Sequence, residues 1–588
     1  MLGKYFFHKE KSHFYQPGEE IRFDRNRRLN ERDSLNSVKS RIALASAAFC
    51  CVYLILTIRL FDLCILQGRD IRPAADYAQD DEFKHILKYT SNPIKRADIL
   101  DRNGTIIATS LPTVNLYANP QKVRSKANVA KELALILTDM SYDSLLKKLQ
   151  NKGRFVYLKR NLTPSQQYKI NALGIPGLEF EKGEKRIYPH KNLFAHIIGA
   201  TNIDNEGVSG IEKQMDTRLT QSDIPLNLSI DAGLQDTIRS ELLEAVDKFK
   251  ADGAAAILMD VRNGEILSMI SLPDFDPNSN NNIPERAQFN FTTKGVYEPG
   301  SVLKIFNAAM GLESGKVKVT DKFDATQPLK LRYNVIKDYR GENRWLDLPE
   351  ILIYSSNIGS ARIALKVGKS EQRRFLDNLG FFRPVSSIEV AEKGVPLIPS
   401  DKRWNESTTA TVGYGYGISI TPLHLISAFS SVVNGVMYHE PTLIKNNKNV
   451  SSHRTMSYHT SMQMRDLLRG VVVKGSGKRA NVAGYEVAGK TGTAQKLVNG
   501  RYIDKKVMTS FLATFPVSDP QYALFLMMDE PKPIKETWGF VTSGWNTVPT
   551  AGKIISAIAP QLGVPANEDI SDSRHERIIN AAYTVKKK

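Results

Sequence analysis

Ala254-Ala255-Ala256-Ile257-Leu258-Met259-Asp260-Val261-Arg262-Asn263-Gly264-Glu265-Ile266-Leu267-Ser268-Met269-Ile270-Ser271-Leu272 spells out a β-hairpin. The run Ala254 to Val261 is almost continuously apolar, as a buried strand is. Asn263-Gly264 suits a tight turn, and Glu265 to Leu272 returns as the second strand. Three more strands are expected near the C-terminus: Tyr485 to Ala488 running into Lys490, Met508 to Phe515, and Tyr522 to Met528. Asn499-Gly500 and Asp519-Pro520 supply the turns between them, and a helix is expected from about Gly552 to Ala559. The roughly 210 residues between the two strand groups are mostly helical in pattern. Two strands, a helical insert, three strands and a terminal helix predict an α+β domain, an antiparallel five-stranded sheet flanked by helices.

Towards the N-terminus, residues 70 to about 225 read as mixed α and β without repeats. Ile99 to Arg102, the turn Asn103-Gly104 and Thr105 to Ala108 suggest strand, turn and strand, and Val129 to Leu149 has a helical period. A chain of 588 residues exceeds one hydrophobic core, so several domains are expected. The expected divisions are a tail at 1–41, a membrane helix at 42–66, an elongated mixed α/β pedestal at 67–225, a catalytic domain at 226–565 and a polar tail at 566–588.

Three short motifs follow one another in the later domain: Ser301-Val302-Leu303-Lys304, Ser355-Ser356-Asn357 and Lys490-Thr491-Gly492-Thr493. Alone, the first two mean little: Ser144 and Lys147 repeat the first, and Ser34 with Asn36 repeats the second. Lys-(Ser/Thr)-Gly occurs once, and the spacings of 54 and 135 residues leave room for the helical insert. A serine hydroxyl needs an adjacent base to act as a nucleophile. Ser301 and Lys304, three apart on a helix, share one face, and a lysine serves as base only when its pKa is lowered. Burial and the charge of Lys490 would both lower it. Lys490 can attract an anionic substrate terminus, with Thr491 and Thr493 adding hydroxyl donors around Gly492. The backbone amides of Ser301 and Thr493 are candidates for an oxyanion hole. Ser355 can relay a proton to the departing amine, and Asn357 can hold the substrate amide and orient Lys304. No histidine has a matching serine elbow, and neither the ten histidines nor the cysteines form a ligand set, so no metal and no cofactor is expected.

The net charge is +18, but the basic residues are scattered and carry no nucleic-acid motif; an anionic membrane or wall polymer fits the same charge. All three cysteines, Cys50, Cys51 and Cys64, lie in or beside one apolar stretch, which excludes a disulfide framework further on. Ile42 to Ile58 are 17 residues without a charge, and the apolar character resumes through Leu66. Residues 21–41 carry seven Arg or Lys, whereas 59–79 carry three. The positive side stays in the cytoplasm, which places the bulk of the chain outside the membrane. Small residues four apart, such as Ala43 and Ala47, permit close packing against a partner helix.

The chain resembles the class B penicillin-binding proteins, of the septal FtsI type. The resemblance runs through Tyr297-Glu298-Pro299-Gly300-Ser301, Tyr354 to Gly359, Gly413-Tyr414-Gly415-Tyr416-Gly417 with Thr421-Pro422-Leu423, Val487 to Ala494, and Asp529-Glu530-Pro531. Upstream it takes in Arg96 through Gly104, Arg186-Ile187-Tyr188-Pro189 and Gly207 to Glu212. Ala97, where the family usually has glycine, and Ser476, where it has threonine, depart from the pattern. The resemblance implies a serine β-lactamase-like fold and a D,D-transpeptidase. Ser301 would attack the D-Ala-D-Ala end of a peptidoglycan stem peptide, and a neighbouring diaminopimelate amine would resolve the acyl-enzyme. It also implies inhibition by β-lactams, a single-pass place in the bacterial inner membrane at the division septum, and partnership with an FtsW-type glycosyltransferase and other division proteins. An elongation-specific class B transpeptidase and a catalytically dispensable scaffold of the division complex are the alternatives. A β-lactamase would lack the span and pedestal, and a β-lactam receptor would need a cytoplasmic enzyme that forty residues do not provide.

Overall fold

Asp101 turns the chain between β1 (Ile99–Leu100) and β2 (Ile106–Ala118): one carboxylate oxygen accepts from the Asn103 and Thr105 amides. The computed structural model describes residues 43, 46–57 and 95–567, apart from 280–282, 333, 436 and 499–500. The chain divides into two compact units, Met1–Pro93 and Ile94–Lys588. In the first, residues 46–57 are helical with exposed side chains. Among the described residues no helix is long and apolar enough to cross a membrane. The rest of the expected span, the basic tail before it and most of the C-terminal tail lie outside the described residues.

Within the second unit, β2 pairs antiparallel with β1, with β3 (Val156–Leu162) and with β4 (Leu178–Ile187), while β1 pairs parallel with β5 (Leu226–Asn227). The single helical period expected over 129–149 is two helices, α1 (Lys126–Ile136) and α2 (Tyr142–Leu149). Ser141 accounts for the break, because its hydroxyl accepts from the Ser144 amide and so starts a new helix. Leu133, Leu137, Leu145 and Leu149 bury against Leu116 and Leu158 to form a small core of their own. Below it, the sheet is tied down by charge. Arg96 donates to Glu212 and Asp216 at 2.7 Å, and Arg186 donates to the other oxygen of Glu212 at 2.7 Å.

The second sheet begins after α3 (Ala232–Phe249). Strands β6 (Gly253–Asp260) and β7 (Ile266–Leu272) form the expected hairpin, followed by α4 (Lys304–Glu313), α5 (Asn357–Val367), α6 (Pro422–Val433) and α7 (Tyr458–Lys474). Then come β8 (Ala488–Val498), β9 (Arg501–Phe515), β10 (Tyr522–Asp529) and α8 (Thr547–Gln561). The strand order is β8-β9-β10-β6-β7, every neighbour antiparallel. Burial on both faces explains why β6 and β10 are apolar up to their terminal Asp260 and Asp529. Ala254, Ala256 and Leu258 face α3 and α8, whereas Ala255, Ile257 and Met259 face the helical insert with Phe306 and Phe429. The sheet is thus the middle layer of three.

Two strand limits differ from the sequence reading. The Tyr485 to Val487 stretch is not strand, because Gly484 and Glu486 take left-handed backbone, at φ 82 and 43. β9 starts at Arg501 rather than Met508; over its first residues only β8 covers it, since β10 pairs from Met508 onward, and a strand with one neighbour reads as polar.

Candidate active site

Gly300 lets the chain enter the site. With φ 58 it turns the backbone into the 3-10 turn Gly300–Leu303, which runs directly into α4. Its amide donates to the Gly415 carbonyl at 3.0 Å. A Cβ on Gly415 would stand 1.8 Å from the Gly300 carbonyl oxygen, so that approach admits glycine alone. In a 3-10 turn, residues three apart eclipse one another. Ser301 and Lys304 therefore meet, Oγ to Nζ, at 3.1 Å.

Lys304 is fully buried, and four oxygens surround its amine. Besides Ser301 Oγ they are the Ser355 carbonyl at 2.6 Å, Asn357 Oδ1 at 2.7 Å and Ser355 Oγ at 3.1 Å. Ser355 offers both its oxygens because it holds a left-handed backbone, φ 58, which costs about 1 kcal/mol in a residue with a Cβ. Burial first, and the neighbouring Lys490 second, hold the Lys304 amine well below the ordinary lysine value, against an opposing pull from Asp338. Lys490 is also fully buried, and burial brings it down to about 7. Its amine donates to Ser355 Oγ at 3.0 Å and to the Thr491 carbonyl at 3.2 Å. The hydroxyl of Ser355 thus stands between the two amines.

Strand β8 forms the opposite wall. Along it Lys490, Thr491, Gly492 and Thr493 pair with Leu512, Phe511, Ser510 and Thr509 of β9. The Thr491 hydroxyl lies 2.7 Å from Ser476 Oγ, and Thr493 Oγ1 accepts from the Ser543 amide at 3.2 Å. The Thr493 carbonyl borders Gly300, 3.1 Å from where a Cβ would stand. All eight residues singled out in the three motifs are therefore gathered around one cleft. The repeat at Ser144 and Lys147 lies on α2, far in sequence from the other motifs and within the pedestal core's own helix pair.

Asp338 escaped the sequence reading. It accepts from Ser356 Oγ at 2.8 Å, from the Ile358 amide at 3.0 Å and from the Asn357 amide, fixing the start of α5. Ser356 in turn caps that helix through the Gly359 amide at 3.0 Å. Asn357 Nδ2 donates to the Lys337 carbonyl at 2.9 Å, which turns its oxygen towards Lys304. No local pattern marks Asp338, since its partners lie 18 to 20 residues further on. Of the aromatic residues, Tyr416 accepts from the Gln495 amide at 3.3 Å, Tyr414 packs beside it, and Trp545 stacks on Phe540.

Comparison with known proteins gives the family. Residues 254–544 match the penicillin-binding protein transpeptidase domain, and residues 91–223 match the penicillin-binding protein dimerisation domain. The chain is 35% identical over 490 residues, 81% of its length and 82% of the other, to the "Probable peptidoglycan D,D-transpeptidase FtsI" of Caulobacter vibrioides. It is 29% identical over 519 residues to the peptidoglycan D,D-transpeptidase FtsI of Escherichia coli K12, covering 82% of this chain and 87% of that one. The crystal structure of a peptidoglycan synthetase from Bifidobacterium adolescentis shares the fold, with a TM-score of 0.64 at 22% identity over 81% of this chain and 96% of that one. The chain belongs to the class B penicillin-binding proteins, and within them to the FtsI-type transpeptidases. It is accordingly a penicillin-binding serine transpeptidase that cross-links peptidoglycan.

Proposed function

We propose that Ser301 is the acylated serine, Lys304 its base, and septal peptidoglycan the material that the enzyme cross-links. One observation carries the assignment of the base. A neutral amine has two hydrogens and one lone pair. The Ser355 carbonyl and Asn357 Oδ1 can only accept, so they take both hydrogens of Lys304. The lone pair is left for a hydroxyl; Ser301 Oγ and Ser355 Oγ both stand 3.1 Å away, so Lys304 can draw the proton from Ser301 while Ser355 links it to Lys490.

Lys304 takes the Ser301 proton as Oγ attacks the penultimate D-Ala carbonyl of a stem peptide. The amides of Ser301 and Thr493 receive the developing oxyanion. Ser355, held between the amines of Lys304 and Lys490, passes a proton to the departing D-alanine. Thr491, Gly492 and Thr493 seat the substrate's terminal carboxylate, which Lys490 attracts, and Asn357 holds the substrate amide. A stem-peptide amine then attacks the ester. A β-lactam enters the same path and remains on Ser301.

The uncharged run from Ile42 and the excess of basic residues before it support a single span at 42–66, with the tail cytoplasmic and the pedestal (67–225) and catalytic domain (226–565) in the periplasm. The FtsI names of the relatives support a septal role; an FtsW-type glycosyltransferase and other division proteins are the partners that the family resemblance suggests. The test is labelling of the full-length chain in lipid by a fluorescent penicillin, with the adduct located by mass spectrometry. A stable adduct on Ser301, lost in Ser301→Ala, is expected; an adduct that survives that substitution overturns the assignment. Label concentrated at mid-cell supports the septal role, and label spread along the side wall favours the elongation-specific alternative.

A further inference from the structure

Four flat groups form one stack. The Arg340 guanidinium lies over Phe540, 5.1 Å from the ring centre; Phe540 stacks on Trp545 at 5.3 Å and 16°; and Arg479 covers the far face of Trp545 at 3.7 Å. The Arg340 end belongs to the Ser355–Asn357 wall, because Lys337 and Asp338, just before it, bind Ser356 and Asn357. The other end belongs to β8, because Ser543 donates to Thr493. The two arginines differ in employment. Arg479 donates to the Gly544 carbonyl at 2.8 Å, and Arg344, four residues beyond Arg340, pairs with Glu350 at 3.0 Å. Arg340 is exposed, and among the described residues no acidic side chain pairs with it. A ring beneath a guanidinium limits its motion and leaves its N–H edge free, which is the form that binds a carboxylate in two-pronged fashion.

We infer that Arg340, steadied by Phe540, binds a carboxylate of the strand whose amine resolves the acyl-enzyme. The inference rests on the acyl-transfer reading above. On that reading Thr491 and Thr493 seat the carboxylate of the departing D-alanine, so the departing amine leaves beside them. The incoming amine must approach the same carbon along that path in reverse; Arg340 directly follows the residues that bind Ser356 and Asn357, and Phe540 lies three residues before the Ser543 that binds Thr493. A diaminopimelate side chain carries a carboxylate on the carbon that bears its amine, so an ion pair with Arg340 would present the nitrogen to the ester. In this step the amine nitrogen bonds to the acyl carbon, the bond from that carbon to Ser301 Oγ breaks, and the amine proton returns to Oγ through Lys304. Arg340 is thus a specificity residue for the second half of the reaction and is not required for the first.

The full-length enzyme, acylated from a D-Ala-ended thioester donor, is offered meso-diaminopimelate or its diamide, and the ratio of aminolysis to hydrolysis is measured. In Arg340→Ala the ratio with the dicarboxylate is expected to fall about tenfold, through the acceptor's apparent KM, as for the loss of one charge-assisted contact. With the diamide, wild type and variant should coincide. Arg340→Lys, which keeps the charge and loses the fork, should recover part of the ratio, and Phe540→Leu should lose part of it. Benzylpenicillin acylation and thioester hydrolysis stay within about twofold throughout, which also shows that each variant folds. An unchanged ratio in Arg340→Ala, or an equal fall with the diamide, overturns the inference. Failure of the wild type to acylate at all overturns the acyl-transfer reading instead.

Discussion

Lys304 and Lys490 in the cleft and Arg96 and Arg186 beneath the pedestal sheet are buried to nearly the same degree, yet their surroundings are opposite. The lysines touch hydroxyls, carbonyls and an amide oxygen. The arginines share Glu212, which is itself wholly buried, and Arg96 adds Asp216. Burial works against the Arg96 charge, and the two carboxylates outweigh it, so its pKa stands above the ordinary arginine value. In the cleft, among the described residues, no carboxylate hydrogen-bonds either amine, and both fall. A buried cation with carboxylate partners is a fixed strut; one hydrogen-bonded only to neutral groups gives up its proton more readily and so can do chemistry. The same burial therefore supports structure in one place and reactivity in the other.

Replacing each cation or its partner tests that contrast. The largest effect is expected from Lys304→Met, which removes the proposed base and leaves a well-filled core position. Penicillin acylation should slow by about a thousandfold, read by stopped-flow labelling, while the melting temperature holds or rises. A melting temperature that collapses would show the amine to be a strut after all. Glu212→Ala should do the reverse. It leaves Arg96 and Arg186 buried without their shared carboxylate, at a cost of about 3 to 5 kcal/mol in unfolding free energy, while the folded fraction still labels at the native rate. Loss of labelling per folded molecule would mean that the two regions are not separable.

The smallest effect concerns pH. The free enzyme needs Lys304 neutral and Lys490 charged. Acylation kcat/KM should therefore rise as Lys304 loses its proton and fall above about 7 as Lys490 loses its own. Lys490→Arg keeps the cation at every accessible pH, so the alkaline fall should disappear. If the fall persists unchanged, Lys490 is not the group responsible.

What could be seen in the sequence divides along physical lines. The hairpin at 254–272 and the order of strands and insert were legible because alternation and turn chemistry are local. The motif residues were legible because Ser301 and Lys304, or Lys490 and Thr493, sit within one helical turn or one strand. Asp338 and Ser543 were not, because each acts on a partner distant along the chain. The same holds for the Ser476 contact with Thr491: the sequence flagged Ser476 only as a departure from the family, and 15 residues separate it from the hydroxyl it meets. Strand ends were the least legible, since the left-handed backbone at Glu486 has no residue signature and the polar start of β9 reflects a missing neighbour.

The main-chain contact between Gly300 and Gly415 bears on how this enzyme can escape its inhibitors. Any side chain at 415 would collide with the peptide unit just ahead of Ser301, so a substitution there is expected to displace the proposed nucleophile and cost activity and drug binding together. Substitutions tolerated by the enzyme are therefore expected elsewhere than at this contact.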